Sequence, residues 1–156
     1  MKKLILLMVA AMFASFSFSQ VVVLEKDVPT SVKNELKKRH PNVNTAIIKW
    51  EKNRTEYIAN FTENGSHYTV EFDEKGNAHR TKLKLKEHEV PAYINDYASK
   101  NYPEEKFREV EKIVDRDGKV SYSMRLKDSN HHFDADGNYV KDKERVHIKE
   151  KVKVKN

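Results

Sequence analysis

The sequence predicts an α+β fold made of two tandem repeats, each one helix packed on a four-stranded antiparallel sheet. Two observations predict it. Val28-Pro29 returns as Val90-Pro91 and Pro41 as Pro103, 62 residues on, while Phe72-Asp73-Glu74-Lys75-Gly76-Asn77 returns as Phe133-Asp134-Ala135-Asp136-Gly137-Asn138, 61 residues on. A repeat of this length is a supersecondary unit used in tandem. Within each unit the apolar spacing then changes from four residues to two, which is the change from helix to strand.

The elements follow in order. Residues 1–19 read as a signal peptide: Lys2 and Lys3 make a basic start, Leu4 to Ala14 is uncharged and apolar, and Ser17-Phe18-Ser19 offers small residues at a cleavage site before Gln20. The apolar run is short for a membrane span of about 20 residues, so no span is expected after cleavage. Residues 20–86 form the first repeat and 87–156 the second, which ends in a basic segment. In the first, proline suits an opening helical turn, Val28, Val32 and Leu36 make one stripe, and Pro41 stops the helix. The expected helix is Pro29 to Arg39. Val90, Ile94 and Ala98 replay it from Pro91 to Tyr102.

Strands are expected around Ala46 to Glu51 and Phe107 to Ile113, then through Tyr57, Ala59 and Phe61, with Val120, Tyr122, Met124 and Leu126 as their counterparts. Asn64-Gly65 turns the first hairpin into Tyr68, Val70 and Phe72. After Gly76-Asn77 and Gly137-Asn138 a further strand follows, through Leu83 and Leu85 in one repeat and from Tyr139 in the other. Val146, Ile148, Val152 and Val154 alternate with charges and extend that last strand or fray. One helix covers one face of a sheet, so the other face is left open to solvent.

Composition bounds the chemistry. The chain has no cysteine, which excludes thiol catalysis and leaves stability to packing alone. Net charge is +6 over 30 basic and 24 acidic residues, interleaved as on a solvated surface, so no nucleic-acid partner is expected. Only the end is locally basic: Lys141, Lys143, Arg145, Lys149, Lys151, Lys153 and Lys155 stand against Asp142, Glu144 and Glu150. No feature fixes an oligomeric state.

Catalytic and metal motifs are weak. Asp115-Arg116-Asp117-Gly118 and Asp134-Ala135-Asp136-Gly137 look like calcium-loop fragments, but position twelve would be Leu126 or Arg145, so they read as turns. Among the histidines His40, His67, His79, His88, His131, His132 and His147 no regular ligand spacing occurs; His67 and His131, with His132 beside, fall on strands facing one hairpin gap. No metal ligands and no cofactor are assigned. A Gly-x-Ser-x-Gly elbow is absent, and Glu104-Glu105 reads as surface charge, so no catalytic residue is assigned.

Val-Pro, amphipathic helix, Pro, strand, tyrosine-rich strand, then Phe-Asp-x-x-Gly-Asn: over Asp27 to Val140 this order resembles the PepSY-like family of exported bacterial proteins, related in fold to the β-lactamase inhibitor protein. The resemblance implies that the two sheets join edge to edge into one curved sheet and that the chain is not an enzyme. No inhibitory motif matches residue by residue, so inhibition of a β-lactamase is not implied.

The expected function is therefore an extracytoplasmic, non-enzymatic binding module, periplasmic or secreted, such as an inhibitor or sensor of an envelope protein or peptide. The alternative is a small envelope metal- or ligand-binding protein. The expected contact surface is the open sheet face, with Ile58, Asn60, Thr69, Glu71, Ser121, Ser123 and Arg125 as candidates. Packing is the default for the single tryptophan, Trp50; it joins the candidates because the repeat spacing makes Lys112 its counterpart in the second repeat, which marks a position that tolerates water.

Overall fold

A computed structural model describes residues 21–140; the expected signal peptide and the basic C-terminal segment, with Val146, Ile148, Val152 and Val154, lie outside the described residues. Strand β1 (Val21–Val23) precedes helix α1 (Thr30–Arg39), which is followed by β2 (Lys49–Lys52), β3 (Glu56–Glu63), β4 (Ser66–Asp73) and β5 (Ala78–Lys84). The second repeat has α2 (Ala92–Asn101), β6 (Glu109–Asp115), β7 (Val120–Arg125), β8 (Asn130–Asp134) and β9 (Tyr139–Val140). The nine strands among the described residues form one antiparallel sheet in sequence order.

Both helices begin one residue later than the sequence suggests. Pro29 and Pro91 are extended, at φ −54°, ψ 142° and φ −56°, ψ 138°, and so stand before the first helical turn rather than in it. Each helix buries its stripe. Val28, Val32 and Leu36 pack with Trp50, Tyr57, Ala59, Phe61, Val70 and Phe72. Val90, Ile94 and Ala98 pack with Val110, Met124, Leu126 and Phe133. There are two cores and one sheet. They meet at β5, which pairs with β4 through Thr69↔Lys82 and with β6 through Lys82↔Ile113. β1 is the strand the sequence did not suggest.

The turn after β4, β6 and β8 is the same device three times. Oδ1 of Asp73, Asp115 and Asp134 accepts backbone N–H groups two and four residues on, and the glycine between takes positive φ. These carboxylate oxygens accept backbone amides, which is the turn chemistry expected. Two of the turns press on a helix. A Cβ at Gly76 would lie 2.8 Å from the Ser31 backbone, and one at Gly137 would lie 2.9 Å from the Tyr93 ring.

Candidate functional site

Residues directly opposite in an antiparallel ladder share a face, so the registers map the helix-free side. One row runs Lys49, Asn60, Thr69, Lys82, Ile113, Ser121, Asp134. Its neighbour runs Glu51, Ile58, Glu71, Arg80, Asp115. A third runs Lys84, Glu111, Ser123, His132, and Glu109 stands opposite Arg125. The face thus brings together Ile58, Asn60, Thr69, Glu71, Ser121, Ser123 and Arg125 across both repeats.

Trp50 does not belong there. It stands opposite Ala59 and is 2% exposed in the first core. Its structural counterpart is Val110, opposite Met124, and not Lys112, which corresponds to Lys52. The uniform offset of 62 fails because the loop after α2 is two residues shorter than the loop after α1.

Ile58 and Glu71 need a second correction. They lie on the open face but are only 5% and 7% exposed. Ile58 sits between Glu51 and Glu71 in its row, outside both helix-side cores. Glu71 is covered by its own partners: Lys82 Nζ lies 2.7 Å from Oε1, and Arg80 Nη1 donates to Oε2 at 3.1 Å. Long side chains laid across the strands shield short ones beneath. The accessible part of this face is therefore mainly polar: half-buried Asn60, Thr69, Ser121 and Ser123, with Ile113 among them and Arg125 exposed. Thr69 Oγ1 donates to Asn60 Oδ1 at 2.8 Å, and Glu109 holds Arg125 at 2.9 Å and Lys84 at 3.4 Å.

The histidine pair expected at one gap is split. His67 is exposed and hydrogen-bonds Thr62 at 2.8 Å. His131 is on the helix side, 5% exposed, among Tyr97, Tyr102 and Tyr139, with ring centroids 4.9–5.8 Å away. Burial lowers its pKa, helped by His132 and opposed by Glu105.

A different trio converges instead. Glu56, Glu71 and His79 bring ligand-type atoms within 4.8 Å of one another, His79 Nε2 lying 3.0 Å from Glu56 and 3.7 Å from Glu71. A register shift between Glu71 and Phe72 sets His79 beside Arg80 on this face. Both oxygens of Glu71 already face cations, so the trio works as part of a salt-bridge network. Sequence reasoning missed His79 because a bulge breaks strict alternation. It also missed Lys82, Glu111 and Ile113, which the period-two phase of their strands would have found.

The comparisons agree with this architecture. The family described as beta-lactamase-inhibitor-like, PepSY-like matches the chain twice, over residues 16–66 and 55–141. No curated protein matches. Among solved structures, the chain is similar to a protein from Bacteroides eggerthii DSM 20697 provisionally described as periplasmic, with TM-score 0.65 and 21% identity over 73% of this chain and 86% of that one. A DUF2874 family protein from Bacteroides uniformis ATCC 8492 gives 0.64 and 21% over 72% and 86%. A BLIP-like protein from Bacteroides fragilis NCTC 9343 gives 0.60 and 20% over 74% and 84%. At these identities the likeness is one of fold. Among the described residues no helix is long and apolar enough to cross a membrane. Two family matches over two repeats of helix and sheet have one reading: the chain belongs to the beta-lactamase-inhibitor-like, PepSY-like family.

Proposed function

We propose that this protein is an extracytoplasmic, non-enzymatic binding module whose helix-free sheet face receives a protein or peptide partner. One observation carries the reading: among the described residues both helices cover the same side of a nine-stranded sheet, leaving rows of mainly polar and charged side chains from both repeats on the other. A broad, mainly polar face suits a protein surface or an extended peptide better than a buried small molecule, which wants a concave apolar pocket. The export-type segment at residues 1–19 and the periplasmic description of a relative with the same fold support the location.

Asn60, Ser123 and Arg125 are the contact residues of this reading, and Ile58 and Glu71 shape the face from beneath. Bait with Arg125→Ala or Ser123→Arg should lose a partner captured by wild type from envelope extract, while its melting temperature stays within about 2 °C, as for surface changes. Undiminished capture by both variants would overturn the assignment of this face. Ile58→Asp is unsuitable as a probe, because it would bury an unpaired carboxylate at a 5% exposed position.

A further inference from the structure

The two repeats also differ beneath the loop that follows each helix. A cavity of about 510 Å³ opens on the helix side of the second repeat, between α2, the loop after it, and β6. Its walls include Val90, Ala98, Tyr102, Phe107 and Val110, with Glu105 at the loop. The size lies within the usual range of small-molecule pockets, about 300–1,000 Å³.

The first repeat shows why the space is there. Helix positions correspond at an offset of 62, so Ala98 stands where Leu36 stands, and Leu36 is 2% exposed in the first core. Val110 stands where Trp50 stands, by the matching ladders Trp50↔Ala59 and Val110↔Met124. Glu105 stands where Val43 stands. The amides of Val43 and Glu105 each bond the carbonyl three residues back, at His40 and Tyr102, at 3.2 and 3.0 Å. Val43 is 8% exposed, whereas Glu105 is exposed. Leucine, tryptophan and valine thus become alanine, valine and glutamate. Met124 in place of Ala59 returns some volume under the sheet but is not among the walls of the cavity.

We propose that this cavity is a ligand site for a small aromatic molecule of about indole size. The filler of the sister space specifies the chemistry: the first repeat occupies it with its own indole and an isobutyl group. The Trp50 indole is buried in the first core with its N–H unpaired. In the second repeat the exposed Asn95 and Ser99 also line the space, and their side-chain oxygens are of the kind that accept from an indole N–H. The rim carries Lys106 and Arg108 against Glu87 and Glu105, while Lys84 is held by Glu109. Both signs are present, so the ring and not a net charge selects the ligand.

The test uses indole as probe and the residues of the first repeat as plugs. Titrated into the intact protein, indole should bind saturably with a dissociation constant of about 1 mM or tighter, typical of a good fragment. It should shift the amide signals of Ala98 and Val110. Ala98→Leu should weaken binding at least about tenfold and raise the melting temperature, as filling a cavity does. Glu105→Val plugs the mouth independently and decides the matter if Ala98→Leu folds poorly. No saturable binding to wild type would overturn the site, as would affinity unchanged in Glu105→Val and in a folded Ala98→Leu.

Discussion

Leu36→Ala tests whether α1 is oriented and anchored as described. Leu36 is 2% exposed, and its cluster includes Val28, Val32, Trp50 and Phe72. The substitution removes three buried carbons, worth about 0.8 kcal/mol each, or about 2.4 kcal/mol of transfer free energy. A further cavity term applies, because the indole and the phenyl ring cannot collapse into a gap beneath a hydrogen-bonded sheet. That term brings the expected loss to about 3–4 kcal/mol, inside the range for large-to-small core changes. For a domain of this size the melting temperature should fall by about 10–15 °C. Lys37, one residue on and exposed, is the control. Lys37→Ala should change stability by no more than about 0.5 kcal/mol. Urea melts of the three proteins, compared at equal m-values, read the difference. A loss at Leu36 below about 1 kcal/mol, or equal losses at the two positions, would refute the helix orientation and with it the assignment of the helix-free face.

Two other predictions follow from the turns and from the second core. Gly76→Ala should cost at least about 2 kcal/mol more than Gly65→Ala in the same melts. Both glycines have positive φ, but a Cβ at Gly76 meets the Ser31 backbone at 2.8 Å, while at Gly65 nothing lies within 4 Å; equal costs would contradict the turn-to-helix contact. His131 is held neutral by burial, its pKa lowered from 6.5. The unfolded chain therefore takes up a proton at His131 that the native state refuses, and stability falls as pH drops below about 6.5 toward the lowered native value. His131→Val, which installs the residue found at the equivalent Val70, should flatten that decline between pH 7.5 and 5. Identical pH dependence in wild type and variant would refute it.

Much of the fold was legible because repetition and periodicity are local signals. Proline positions bounded both helices to within one residue, and the alternation of Val120, Tyr122, Met124 and Leu126 set the sidedness of β7 and hence of the whole sheet. What escaped depends on three-dimensional context. β1 is three residues of valine paired to β2, too short to carry a period. Trp50 was matched to Lys112 because a sequence offset hides a two-residue loop difference, which only the ladder reveals. Ile58 and Glu71 fall on the right face, yet Glu71 is covered by the long side chains of Arg80 and Lys82 and Ile58 lies between Glu51 and Glu71, burial that alternation does not measure. His79 owes its direction to a bulge. The candidate site was thus legible as a face and illegible as a surface.

β5 belongs to both repeats, and this governs how the protein comes apart. A strand bonded along both edges cannot be released while either neighbour holds. Opening the first core leaves β5 clamped by β6, and opening the second leaves it clamped by β4. Neither half can shed the strand without exposing a raw edge of unpaired amides on the other. The duplicated halves are in this sense hostages to one another. The backbone amides of Arg80 to Lys84 should be among the last to exchange with solvent, and damage to either core should be felt as weakened protection in both.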